Sequence, residues 1–187
     1  MEGKTVVISA PSGAGKTSIV NFLLSRIPSL SFSISACSRT KRLDEINGKN
    51  YYFLDSSTFK SKISKGDFLE WEEVYPDHYY GTLNSELERI WGENKHVVFD
   101  IDVAGGINVK KRFHSNCISI FILPPSVGAL EERLLSRGSE TQSSIDKRIN
   151  KAELEIAKRS DFDHIVLNDD FTTACEEVLI LVKNFLK

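Results

Sequence analysis

Four short runs along the chain are apolar at nearly every position: KTVVIS at 4–9, HVVFDI at 96–101, CISIFIL at 117–123 and HIVL at 164–167. A strand needs continuous apolarity only when both of its faces are covered, so these runs, rich in β-branched residues, predict buried strands. Between them, apolar positions recur every three or four residues, the spacing of a helix that packs along one side. Ile19, Val20, Leu23, Leu24 and Ile27 set that period directly after the first run, and Pro28 closes it. Strands alternating with helices predict an α/β fold built on a parallel sheet. Phe171, Ala174, Cys175, Val178, Leu181, Val182 and Phe185 hold the helical period and predict a helix laid back on that sheet.

Two stretches break the rhythm. From 33 to 87 the chain is aromatic and polar, with short alternating pieces such as SISACSRT, NYYFL and DFLEWEEV, which predict a small, mostly β insertion. From 126 to 159 it is charged and helical, VGALEERLLSRG and IDKRINKAELEIAKRS joined by the polar turn GSETQSS, which predicts a helical hairpin. The expected plan is one domain: core at 1–32, insertion at 33–87, core at 88–125, helical hairpin at 126–159 and core at 160–187.

Composition changes this picture little. With 187 residues, 41% hydrophobic and 27% charged, the chain can bury a sizeable core. A net charge of -2 gives no overall attraction to nucleic acid or an anionic membrane, and neither is expected as a partner. Cys37, Cys117 and Cys175 are odd in number and widely separated, which predicts free, buried thiols in a reducing compartment. The run TVVIS is too short for the apolar part of a signal peptide, and no stretch reaches transmembrane length, so a cytoplasmic location is expected. The four histidines show no metal-ligand spacing.

The chemistry begins in the gap between the first strand and its helix, APSGAGKT at 10–17. A helix N-terminus offers unpaired N–H groups and a positive dipole end, and glycines at 13 and 15 let the backbone curl so that several amides converge on one anion. Lys16 adds a mobile charge, and the Thr17 hydroxyl suits Mg²⁺. The motif is the P-loop, G-x-x-x-x-G-K-[ST], with Ala10 in its first position. A Cβ at that position matters only if the backbone needs a positive φ. A second group of anion partners is spread over SRTKR and GKNYYF: Arg39, Arg42 and Tyr51 can all donate to a phosphate, arginine through a planar fork. Basic surface loops of this kind also occur without a ligand. Glu70, Asp102, Ser35 and Thr82 bring carboxylates and hydroxyls. Guanine presents N1–H and an exocyclic amine as donors beside the O6 acceptor, so carboxylates facing the donors and hydroxyls facing O6 would select it, whereas adenine would leave buried groups unpaired.

SAPSGAGKT, SRTKR with GKNYYF, FLEW, YYGT, DID, SRGSET and VLNDD occur in the order and rough spacing of guanylate kinases, and together they cover nearly the whole chain. The resemblance implies ATP-dependent phosphorylation of GMP and dGMP in purine nucleotide metabolism. It also implies a nucleoside monophosphate kinase fold with a core, a GMP-binding part at 33–87 and a lid at 126–159. Carried over residue by residue, it assigns the ATP phosphates to the loop Ala10, Pro11, Ser12, Gly13, Ala14, Gly15, Lys16 and Thr17, and the neighbourhood of adenine to Asn168. It assigns guanine to Ser35, Glu70, Thr82 and Asp102, and the GMP phosphate to Arg39, Arg42, Tyr51 and Tyr80, with Tyr79 as the alternative to Tyr80. Arg133, Arg137 and Arg148 match the lid cations that approach the transferred group, beside Lys16 and Arg39, and Asp100 is the candidate to hold Mg²⁺ together with Thr17. The sequence departs from the family at Ala104, where glutamine is common, at Lys41, where proline is common, and between Trp71 and Gly81, one residue longer than in some members. Two other readings fit parts of the pattern: a noncatalytic phosphopeptide-binding module, which has no need of Lys16 and Thr17, and a P-loop kinase of another acceptor, for which Glu70, Asp102, Ser35 and Thr82 would have no use.

Overall fold

A computed structural model describes residues 3–135 and 142–187. The four continuous apolar runs are strands of one parallel sheet: β1 (Thr5–Ser9), β7 (His96–Asp100), β8 (Cys117–Leu123) and β9 (His164–Leu167), with β2 (Leu30–Phe32) added at the edge, in the order β2-β7-β1-β8-β9. Side-chain alternation along β1 feeds two cores. Val6 and Ile8 point to the side covered by α1 (Lys16–Arg26) and α7 (Phe171–Leu186), and Val7 points to the side covered by α3 (Asn84–Gly92) and α4 (Val103–Phe113). The chain moves from β7 on one side of β1 to β8 on the other, so the carboxyl ends of these strands diverge around a crevice, the place where open α/β sheets bind ligands.

The insertion forms its own four-stranded sheet in the order β4-β3-β6-β5: β3 (Ala36–Cys37), β4 (Tyr52–Phe53), β5 (Phe68–Tyr75) and β6 (His78–Leu83). It also contains α2 (Ser56–Ser64), capped by Asp55, whose carboxylate accepts the Thr58 amide at 2.7 Å. Phe59 of α2 stacks on Phe68 and Tyr79, with ring centroids 4.3 and 5.5 Å apart, and makes a small separate core. The expected boundary after residue 87 falls inside α3, because Leu87 and Ile90 of that helix belong to the core of the main sheet. The helical hairpin consists of α5 (Val127–Leu135) and α6 (Gln142–Ala157), and Leu130 and Ala152 bury against the α1/α7 side of the sheet. The three cysteines are free and buried. Among the described residues no helix is long and apolar enough to cross a membrane.

Candidate active site

The loop from Ala10 to Thr17 lies at the carboxyl end of β1 and turns directly into α1. Gly15 is the N-cap of that helix at φ 92°, a left-handed conformation that side chains resist, and a Cβ there would lie 2.6 Å from Asn168 Nδ2. The glycine is therefore required twice, by its backbone angle and by its neighbour. Ala10 is absent from the positive-φ residues, so a methyl group at the first motif position is compatible with its backbone. The Ala14 amide donates to Pro11 O at 3.1 Å and closes the turn. From the far end of the sheet Asn168 supports the loop: its Nδ2 donates to Ala14 O at 2.7 Å and its own amide donates to Leu123 O at 2.8 Å.

Asp100, at the end of β7, gathers both side chains that close the motif. Its Oδ1 lies 2.5 Å from Lys16 Nζ, and its Oδ2 accepts the Thr17 hydroxyl at 2.6 Å. Lys16 also donates to Ile101 O at 3.1 Å. One carboxylate and one hydroxyl are a hard, all-oxygen donor pair, and among the described residues no group of three or more acidic, histidine or cysteine side chains converges elsewhere to hold a metal. So sparse a set fits Mg²⁺, which keeps several waters and takes its other ligands from phosphate.

Two cavities meet at Lys16. The first, of about 360 Å³, is lined by the loop and by Arg148, Lys151 and Glu155 of α6. The second, of about 240 Å³, is lined by Ser35, Tyr51, Glu70, Glu72, Tyr80, Asp100 and Asp102. Lys16, Asp102 and Lys151 lie on the walls of both. Asp102 caps α4, and its Oδ1 accepts the Gly105 amide at 2.8 Å. A Cβ on Gly105 would come within 2.9 Å of Glu70 Oε2 and 3.2 Å of Asp102 Oδ1, so the missing side chain is what lets the two carboxyl groups converge. Burial pushes Glu70 up to about 7, with the neighbouring Asp102 adding to the rise and Thr82 opposing it. Burial also works against the charge of Asp102, but Glu72, the Gly105 amide, Lys151 and Lys16 outweigh it and hold that carboxyl below its ordinary value.

The remaining expected residues fall into three groups. Tyr80 faces the cavity, while Tyr79 turns the other way into the Phe59 core, as the alternation of side chains along β6 requires. Arg39 is held behind Tyr51: its Nη1 donates to Glu45 Oε2 at 2.7 Å, its Nη2 bonds Glu45 Oε1, and its guanidinium lies over the Tyr51 and Phe53 rings at 5.1 and 5.5 Å. The bonds from Arg39 keep the Glu45 carboxyl at about 2. Arg42 is exposed, and its backbone amide donates to the same Glu45 at 2.8 Å. Thr82 is wholly buried next to Glu70 in the β5–β6 register, with a hydroxyl oxygen that finds no partner of hydrogen-bonding geometry among the described residues. In the hairpin, Arg148 Nη1 donates to Ser12 Oγ of the loop at 3.2 Å, and Arg133 Nη2 donates to Asn168 O at 3.3 Å. Arg137 lies outside the described residues. Three residues went unread in the sequence: Glu72, Lys151 and Gly105. Glu72 was accessible by counting two along β5 from Glu70, and Lys151 by counting three from Arg148 on α6.

An anion loop at the end of a parallel strand, a lysine at the junction of two cavities and a carboxylate-lined pocket contributed by an inserted sheet together define a P-loop phosphotransferase. The family model for guanylate kinase matches residues 2–184. The chain is 46% identical over 184 residues to a guanylate kinase of Porphyromonas gingivalis, with 98% of each chain covered. It is 44% identical over 185 residues to one of Bacteroides fragilis, with 99% of this chain and 91% of that one covered. In three dimensions it matches the crystal structure of guanylate kinase from Anaplasma phagocytophilum with a TM-score of 0.78 at 27% identity, covering 99% of this chain and 87% of that one. The chain belongs to the guanylate kinase family.

Proposed function

We propose that the protein transfers the terminal phosphoryl group of ATP to GMP or dGMP, giving ADP and the nucleoside diphosphate. The observation that carries this reading is the pair of cavities sharing Lys16: one has the loop amides that suit a triphosphate, the other the carboxyl groups that suit the donor edge of guanine. A donor in the first and an acceptor in the second bring their phosphates together at the lysine. Transfer then needs in-line placement and neutralisation of charge, with little covalent work for the protein. The acceptor oxygen is already anionic at neutral pH, so the site needs no general base and forms no covalent intermediate. Lys16 follows the moving charge, Arg39 and Tyr51 with Tyr80 hold the acceptor phosphate, and Arg148 approaches from α6. Arg42, Arg133 and Arg137 are further cations for the two nucleotides. Ser35, Glu70, Thr82 and Asp102 select the base. Asn168 acts through the loop it supports, at the edge where adenine would lie. Thr17 and Asp100 would hold Mg²⁺, which neutralises phosphate charge when bound.

The experiment is a coupled ADP-release assay with ATP and Mg²⁺ against GMP, dGMP, AMP, UMP and CMP. Activity confined to the first two is the expected result, and equal turnover of AMP would overturn the base assignment. The phosphopeptide-binding alternative is disfavoured by an intact Lys16–Asp100–Thr17 arrangement, which such a module does not use.

A further inference from the structure

The guanidinium assigned to the acceptor phosphate is already paired with a carboxylate, an arrangement that by charge alone works against binding an anion. Arg39 Nη1 donates to Glu45 Oε2 at 2.7 Å and Nη2 donates to Glu45 Oε1, so the carboxylate takes the fork end-on, and Nη1 also donates to Thr40 O at 3.0 Å. A guanidinium carries five N–H groups in a fixed plane. The Nε–H and the second Nη2 hydrogen, which lie together on the side edge of that plane, make no hydrogen bond among the described residues. That edge is a second fork, of the spacing that two phosphate oxygens fit. Glu45 is built in rather than loosely attached. Its loop is exposed, yet its own side chain is only 12% exposed and that of Arg39 15%. The same carboxylate accepts the Arg42 amide at 2.8 Å, and the Glu45 amide donates back to Arg42 O at 3.3 Å, which closes a turn between the two. Further on, the Ile46 amide donates to Asn50 Oδ1 at 2.8 Å and the Gly48 amide to Tyr51 O at 2.9 Å, so the loop is braced against a tyrosine of the cavity wall. The Tyr51 and Phe53 rings lie against the guanidinium plane.

We infer that Glu45 is a positioning residue for the acceptor phosphate: it grips Arg39 end-on, leaves the Nε–Nη2 edge as the fork for a phosphate monoester, and ties Arg42 into the same turn. Glu45 acts through the two arginines and does not touch the nucleotide. Its charge offsets part of theirs, so what it contributes is a cation held in one orientation before the nucleotide arrives, with less side-chain freedom left to lose on binding. Because the phosphate is common to all nucleoside monophosphates, the effect falls on affinity and not on the choice of base. The inference rests on the reading of the second cavity as the GMP site.

A double-mutant cycle tests it. Glu45→Gln keeps the size of the side chain and removes its charge and one acceptor oxygen. Calorimetry gives the Kd for GMP and for inosine monophosphate, which carries the same phosphate on a base without the 2-amino group, in the parent protein, Glu45→Gln, Arg39→Ala and the double variant. Glu45→Gln is expected to weaken both nucleotides by the same factor, about tenfold, and to leave the Kd for a non-hydrolysable ATP analogue within about twofold. With Arg39→Ala in place there is no fork left to hold, so adding Glu45→Gln is expected to weaken GMP no further. Unchanged or tighter GMP binding in Glu45→Gln alone overturns the inference, the latter because the carboxylate would then only compete for Arg39. A tenfold loss that persists on top of Arg39→Ala overturns it as well, since the effect would come from the loop and not from the guanidinium. Glu70→Gln is the control: if it leaves the Kd for GMP unchanged, the assignment of the cavity to GMP fails, whereas a loss there with no change in Glu45→Gln removes only the role of Glu45.

Discussion

Lys16 is held on Asp100 and Ile101 O with 19% of its side chain exposed, so an incoming phosphate competes for a cation that is already in place and needs no large search. Replacing it should therefore damage transfer far more than folding. Lys16→Met is expected to lower kcat at least about a thousandfold in the ADP-release assay, in the range for losing a preorganised transition-state donor, while the thermal melt stays cooperative. Glu70 makes a different demand, because it must be ionised to accept from guanine, and burial holds it near 7. Its protonated fraction falls as pH rises from 6 to 8, so GMP binding should strengthen over that window, by about tenfold in KM for a group that goes from mostly protonated to mostly ionised. The GMP phosphate titrates nearby, so the informative quantity is the difference between the parent protein and Glu70→Gln measured across the same pH values. A parallel pair of profiles would show that Glu70 does not touch the base.

At the scale of elements, the insertion is tied to the core through one carboxylate. Glu86, in the first turn of α3, has only 2% of its surface exposed and accepts the Ile34 amide at 2.9 Å, the Tyr52 hydroxyl at 2.6 Å and Arg89 Nε at 3.0 Å. Burial opposes its charge, but Arg89, Tyr52 and the Ile34 amide outweigh that and leave its pKa lowered in the folded protein. A depressed carboxylate contributes stability that is complete above its unfolded value of 4.5 and is lost as pH falls through the folded one. Glu86→Ala is thus expected to cost about 2–3 kcal/mol at neutral pH, with the half-exposed Arg89 reducing what a fully buried pair would cost. The gap between the melting temperatures of variant and parent should narrow below pH 4.5. These ties join residues far apart in sequence, which is why the sequence did not display them. What it displayed was local. The four buried strands stood out because coverage on both faces demands continuous apolarity, and the loop stood out because eight consecutive residues, 10–17, carry its geometry. β2 was missed because three residues at a sheet edge leave no period to count, and α2 because its nine residues bury only Phe59. Asn168 could be matched to a motif, yet its hold on Ala14 spans 154 residues and emerges only when β1 and β9 are brought into one sheet.

Over the whole molecule, the cleft is built from three parts that have separate attachments to the core: the loop on β1, the inserted sheet joined through α3, and α6. The last reaches the site through Arg148, bonded to Ser12 of the loop, and through Lys151, which lies on the wall of both cavities. Its anchors are the buried Ile145 and Ala152. A helix that touches both nucleotide positions is stabilised fully only when both are filled, since each ligand neutralises part of the charge it faces. Backbone amide exchange in 142–157 should accordingly slow little with GMP alone and markedly with GMP plus a non-hydrolysable ATP analogue and Mg²⁺, whereas GMP alone should suffice to slow β3 through β6. Each ligand at about a hundred times its Kd adds about 2.7 kcal/mol, or roughly 5–10 °C in Tm for a chain of this size, and coupling through α6 would make the joint shift exceed the sum of the separate ones. Additive shifts, with α6 exchange equally slow under GMP alone, would mean that the helix responds to one nucleotide only and that closure over the site is not shared between the two.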